Sequence, residues 1–385
     1  MNFLEKETYF VRKIFRQLVI IFVLLFFINP VTVSAQELKV AVEGESVWEH
    51  EYTYIEKKVA SSKVKKGYTF KNGDIKYKIT KVSTAKGEED KGIGSLSISA
   101  ANKDCKYIIA PQWVIINGKY YKIRSVAAHG FEDCKKVEFM VLPVEDIRKI
   151  GAYAFTNCEK MEYLTSGCHD KTDTVVTSKK DFERYIKAMK KKDSVAWKEG
   201  KVSLYCTYIG KKAFYNCKSL KGILTLEGKA EYTNFRYFPR IDYSCKREYG
   251  KYAFAGCKSL TELVMRTEIP IEVIPEGCFY QCDSMKIISI TGEKIETKAF
   301  AGCFSLEEIY WDNTVDRKTI VEYIAEDAFP EPEKCLKLKE ITFTNDQMIK
   351  GECNYEDVVV QYFMNRYNQE YNDVLFDWFW WGDVE

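Results

Sequence analysis

One phrase recurs along this chain, and it restricts the fold more than any other feature. It reads Ala-Phe, two residues, Cys, as in Ala154-Phe155-Thr156-Asn157-Cys158. It returns at Ala213-Phe214…Cys217, Ala253-Phe254…Cys257 and Ala299-Phe300…Cys303. Weaker copies are Gly130-Phe131…Cys134 and Cys278-Phe279…Cys282, and a last copy, Ala328-Phe329…Cys335, carries three extra residues. Apolar residues follow each cysteine at three and six positions, and in five copies at eight: Leu142, Met265, Ile290, Trp311 and Phe343. Ser166 and Thr225 are the exceptions. Positions six and eight alternate, which is strand periodicity. The Ala-Phe segment reads as a short helical or 3₁₀ turn packed on that strand.

The repeat phenylalanines are spaced by 24, 59, 40, 25, 21 and 29 residues. The short spacings match the period of leucine-rich repeats, and the long ones mark insertions. One strand-turn unit cannot bury its apolar face alone, but stacked units share a continuous core. The expected architecture is therefore an α/β solenoid, a right-handed βα superhelix, with a β-rich N-terminal cap and a helical, aromatic C-terminal cap. The expected boundaries are a signal peptide over 1–35, the N-terminal cap over 36–123, repeats over 124–345 and the C-terminal cap over 346–385.

The pattern I-G-x-x-A-F-x-x-C-x-x-L-x-x-I resembles the BspA-like leucine-rich repeats of bacterial surface and secreted proteins. Ile150-Gly151-Ala152-Tyr153-Ala154-Phe155 and Ile209-Gly210-Lys211-Lys212-Ala213-Phe214 match it closely. The entry segment is similar too, in Gly73-Asp74-Ile75-Lys76-Tyr77-Lys78-Ile79-Thr80, Ala110-Pro111-Gln112-Trp113-Val114 and Asn117-Gly118-Lys119-Tyr120-Tyr121-Lys122-Ile123. The resemblance implies adhesion or protein binding in general, since a fold alone does not fix a ligand.

The N-terminus carries the order of a secretory signal: Arg12, Lys13 and Arg16, then eleven apolar residues from Leu18 to Ile28, then Val33-Ser34-Ala35. Eleven residues are too few to span a bilayer, which needs about 20. Export is thus the expectation, with the mature chain starting near Gln36. Residues 1–35 hold four basic and two acidic residues, which leaves 54 of each beyond them. That balance argues against a nucleic-acid partner, whose binding proteins carry a basic excess. The 26 tyrosines suit either an exposed binding surface or a repeat core.

Two insertions and the tail depart from the repeat. In residues 167–204, Ser178 and Asp181 resemble a capping box, and Phe182, Tyr185, Ile186 and Met189 follow at helical spacing. This stretch is either a packed excursion or a partner-contacting arm. Residues 227–248 hold Tyr232, Arg236, Tyr237, Arg240 and Tyr243, types that recur in binding hot spots and on ordinary loops alike. In the tail, 354–385, Phe376, Trp378, Phe379, Trp380 and Trp381 form either an end cap or an oligomerisation patch.

Seven of the 13 cysteines occupy one repeat position: Cys134, Cys158, Cys217, Cys257, Cys282, Cys303 and Cys335. They should form an internal ladder of small buried hydrophobes, with Cys278 buried beside them. Cys168 and Cys206 flank the first insertion, and in an oxidising compartment they are expected to pair. His50, His129 and His169 show no metal-ligand spacing, and no P-loop, G-x-S-x-G or G-x-G-x-x-G is present, so no catalytic, metal or cofactor residue is expected.

The strand residues between the inward ones should face out. Phe139, Val141, Tyr163, Leu224, Val264, Ile287 and Tyr310 then make an apolar and aromatic face, interrupted by Glu262, Glu308 and Glu340. The leading expectation is that this face binds an extracellular protein or glycan. The rival is a structural component that assembles through the tail.

Overall fold

The computed structural model describes residues 39–41, 52–87, 91–144, 146–165, 201–227, 247–266, 271–312, 321–344, 362–363, 366 and 375–378. Parallel strands dominate the repeats. A seven-stranded sheet, the main sheet of the repeats, runs in the order Lys201–Leu204, Gly222–Glu227, Leu260–Arg266, Ile287–Ile290, Glu308–Asp312, Glu340–Thr344 and Leu375–Trp378. A three-stranded sheet made of Tyr107–Ile109, Phe139–Val141 and Tyr163–Thr165 holds the same strand position in the first repeats. Short strands before each Ala-Phe phrase pair in parallel as well, as Ile150 does with Ile209 and Ile274 with Ile295. Parallel pairing in register sets equivalent residues of successive repeats side by side, so each repeat position becomes a row.

The phenylalanine row is a continuous ring stack. Phe131–Phe155, Phe155–Phe214, Phe214–Phe254, Phe254–Phe279, Phe279–Phe300 and Phe300–Phe329 have centroid distances of 5.4, 4.8, 5.0, 5.4, 5.2 and 5.0 Å. All seven rings are buried. The cysteine row lies beside it, and all seven thiols are buried and outside any disulfide. From the second copy to the sixth, each Sγ donates to the carbonyl of the previous repeat's phenylalanine, from 3.1 Å for Cys158 to Phe131 to 3.3 Å for Cys303 to Phe279. A small side chain with a weak donor fits there, which explains cysteine without a bridge.

The Ala-Phe segment and the residues up to the cysteine form non-helical turns, where the sequence suggests a short helical or 3₁₀ turn. Two residues per copy take positive φ. One precedes the Ala-Phe pair (His129, Tyr153, Lys212, Tyr252, Gly277, Lys298) and one precedes the cysteine (Asp133, Asn157, Asn216, Gly256, Gln281, Gly302). Left-handed residues at that spacing break any helical run, and Asn, Asp and Gly tolerate them best. Only the last copy differs: its three extra residues form a 3₁₀ turn over Pro332–Lys334. Successive turns are joined through the backbone, as in Phe155 N to Ala213 O and Phe214 N to Ala253 O, each 2.7 Å. Close approach explains the glycine after the short strand. A Cβ on Gly210 would stand 2.4 Å from the Ala152 nitrogen of the preceding turn.

At the N-terminal end, Thr69–Asn72, Ile75–Lys81 and Gly94–Ala100 pair antiparallel. Trp113–Ile116 and Lys119–Val126 form a hairpin closed by Asn117-Gly118, both at positive φ, as a type I′ turn requires. At the other end Tyr362, Phe363 and Arg366 are helical. Phe363 is buried and meets Phe329 edge-on at 5.0 Å, ending the ring stack. Leu375–Trp378 adds the last strand, beside Glu340–Thr344.

Two expectations need adjusting. Lys201–Leu204, taken from the sequence as the end of an insertion, is a strand of the main sheet with Val202 and Leu204 buried. Tyr107–Ile109, taken as part of the N-terminal cap, already pairs with the first repeat strand. Cys105, three residues before the inward Ile108, therefore fills the row position that Val137 fills before Met140, and it is buried.

Candidate functional site

The outward face of the strands is the surface that the fold leaves for a partner. Two outward residues per strand form two rows. In the main sheet one row holds Ile223, Glu262, Ile287, Glu308 and Glu340, and the next holds Thr225, Val264, Ser289, Tyr310 and Thr342. Val264, Ile287 and Tyr310 are half-buried, and each lies on this face as the sequence predicts.

Leu224 does not. It is fully buried, because it pairs with the inward Leu263 and Val202. The register shifts at Gly222, whose φ is +86°, so that copy has one residue more before its strand. Ile223 moves out, Leu224 and Leu226 move in, and Thr225 takes the outward register position but is buried. A slip of one residue exchanges the two faces of a strand.

Phe139 and Val141 are also corrected: both lie at outward positions but are buried, at 4% and 6% exposure. Phe139 is sandwiched between Tyr107, at 5.8 Å, and Tyr163, at 5.2 Å and parallel to it within 2°. The stack shields its own middle ring. Tyr163 remains half-buried at the end of that trio, with Lys221 5.7 Å from its ring centroid. Burial raises its pKa. Tyr310 donates its hydroxyl to Glu308 Oε2 at 2.9 Å. Its pKa is pushed up to about 12, first by burial and then by Glu308 and the neighbouring Glu340 and Glu262. This end of the face is thus acidic, with apolar residues between the carboxylates.

Charged residues border the face where the strands begin. Lys106 pairs with Glu138 at 3.2 Å and Lys221 with Glu162 at 2.7 Å, and Glu307 pairs with both Lys286 and Lys339, at 3.1 and 3.4 Å. Half-exposed pairs of this kind stabilise little, and they leave the charges of the border balanced.

The remaining site expectations fall elsewhere. Cys206 is a free, buried thiol that donates to the Ile147 carbonyl at 3.5 Å, and burial pushes its pKa up to about 12. Cys168, the bridge partner expected for it, lies outside the described residues. His129 stacks on Tyr153 at 4.9 Å and meets Glu132 at 2.7 Å, on the surface. Among the described residues no group of His, Cys, Asp and Glu is placed to hold a metal ion, and no helix is long and apolar enough to cross a membrane. The helix expected over 182–189, the residues Tyr232 to Tyr243 and the tail aromatics 379–381 lie outside the described residues.

Stacked parallel strands, one per repeat, with a shared ring stack and thiol row define a leucine-rich repeat protein. The BspA type leucine rich repeat region matches in six copies over residues 114–174, 195–244 and 244–357. The chain belongs to that family. No curated protein sequence matches the chain. Among solved structures it is similar to a leucine-rich repeat protein of Bacteroides ovatus, at 16% identity and a TM-score of 0.31, over 72% of this chain and 71% of that one. It is similar to the T. pallidum leucine-rich repeat protein at 16% identity and a TM-score of 0.34, over 73% and 91% of the two chains. The pneumococcal vaccine antigen PcpA matches at 12% identity and a TM-score of 0.21, over 82% and 99%.

Proposed function

We propose that this chain is an exported, non-catalytic binding protein whose outward strand face takes a protein or glycan partner outside the cytoplasm. The observation that carries the reading is the pair of adjacent outward rows in which half-buried Ile287 stands among Glu262, Glu308 and Glu340, with half-buried Val264 and Tyr310 in the row beside it. A rigid array of this kind places anchors without a large ordering cost on binding. The signal-like order of residues 12–35 supports export. A right-handed solenoid is the natural path, because crossovers between parallel strands are right-handed in nearly all folds.

The test is partner capture from arrays of extracellular proteins and glycans, with Tyr163→Ser and Tyr310→Ser beside the unaltered protein. Each substitution should weaken capture by about tenfold, the loss of about 1.4 kcal/mol, and leave the melting transition within a few degrees. Capture unchanged in the double variant would remove the face from the account.

A further inference from the structure

The opposite edge of the last repeats, where the turns stack, carries a second surface that the strand face does not explain. The residue after the ladder cysteine is charged in five copies: Lys135, Glu159, Lys218, Lys258 and Asp283. In the next copy it is Phe304, which is 44% exposed. The core does not require a ring there. Phe304 lines a cleft of roughly 480 Å³, a size that suits a small ligand. The cleft arises from the rungs themselves. At its floor the middle rung presents the small residues Ala301 and Gly302, between Tyr280-Gln281 on one side and Pro330-Glu331 on the other. The three extra residues of the final copy raise that second wall.

The charges on the walls are not all spent on each other. Lys258 pairs with Asp283 at 2.9 Å, and Lys334 with Glu331 at 2.5 Å. Lys298 forms no ion pair among the described residues; its backbone N–H donates to Asp327 Oδ1 at 3.3 Å. Arg366 donates from one terminal nitrogen to the Glu326 carbonyl at 2.5 Å, and among the described residues its other terminal nitrogen makes no hydrogen bond. An exposed ring, two cations with donor capacity to spare and a rim of carboxylates and an amide therefore converge on one open cleft.

We propose that this cleft binds the terminal ring of an acidic glycan. The carbon face of a uronate-type sugar lies on Phe304, its carboxylate is held by Lys298 and Arg366, and its hydroxyls meet Gln281 and Asp327. Each part of the ligand answers one feature of the cleft: an apolar face for the ring, a carboxylate for the spare cations, hydroxyls for the polar rim. The site is separate from the strand face, and neither reading depends on the other.

The experiment is calorimetry and saturation-transfer NMR on the purified protein with three probes: methyl glucuronide, methyl glucoside and benzoate. The glucuronide should bind with a dissociation constant on the order of 1 mM, and the other two at least about tenfold more weakly. Phe304→Ala and Lys298→Gln should each weaken the glucuronide by about tenfold, whereas Phe304→Tyr, which keeps a ring, should retain binding. Equal binding of the three probes, unaltered binding in Phe304→Ala, or loss of binding in Phe304→Tyr would each overturn the assignment.

Discussion

Raising the pH above about 9 is expected to unfold the protein in one steep transition, with its midpoint at about pH 10. The cause is the buried thiols. Burial pushes Cys206 up to about 12 and holds Cys217, Cys257, Cys278, Cys282 and Cys303 above the ordinary thiol range. In the unfolded chain the same thiols ionise near pH 8.5. A folded pKa that is raised means the folded state keeps protons which the unfolded state releases. The stabilisation is fully present below about pH 8.5 and declines as the pH climbs toward the folded values. Each thiol costs about 1.4 kcal/mol per pH unit in that window, so six cost roughly 8 kcal/mol, against a typical stability of about 5–15 kcal/mol. Circular dichroism and thiolate absorbance, followed together from neutral pH upward, should change in the same narrow interval. Thiolate absorbance that rises gradually while the fold persists would show that the cysteine row is open to solvent.

Phe254→Ala should cost about 3–5 kcal/mol, the range for removing a fully buried aromatic side chain. Phe254 is completely buried and stacks on Phe214 at 5.0 Å and on Phe279 at 5.4 Å. Its loss opens a cavity in the middle of the ring stack and breaks two ring pairs. In stacked repeats each unit mainly contacts its neighbours, so the damage falls on the junction between the two halves. Urea denaturation should show a lower midpoint, and two separate transitions if the halves uncouple. Phe254→Leu, which fills most of the volume, should cost less. A shift of under about 1 kcal/mol in Phe254→Ala would mean that the stack does not bind the rungs together.

The rows were legible because a repeat multiplies a weak signal. One Ala-Phe-x-x-Cys phrase says little, but seven copies fix which positions point inward, and the buried Phe and Cys rows follow from that. Local exceptions were not legible. Thr225 broke the apolar pattern at eight positions past the cysteine, and one extra residue at Gly222 is the reason, but a substitution would have left the same trace. The turn was hidden because Tyr153, Lys212, Tyr252 and Lys298 carry positive φ without being glycine. Phe139 reads as an outward aromatic from its spacing; only its neighbours Tyr107 and Tyr163, on adjacent strands, bury it. The alternation in Lys201–Leu204 was readable as a strand but lay beside an irregular stretch. Phe304 did leave a signal, a ring after five charged residues in its row and before Leu336, which becomes visible once the copies are aligned by their cysteines.

The tail bears on what the strand face is free to do. Phe363 closes the ring stack, Tyr362 donates to the Glu326 carbonyl at 3.0 Å, and Leu375–Trp378 extends the sheet, so the described part of the tail covers the end of the repeats. Closure of the ring stack by Phe363 from within the chain disfavours joining a second copy through that row. The most direct test of a binding protein with a free face is size-exclusion chromatography with light scattering on residues 36–385. The account predicts the mass of one chain. A defined oligomer that reverts to folded monomers when residues 354–385 are removed would contradict it, and would make the tail the site of assembly.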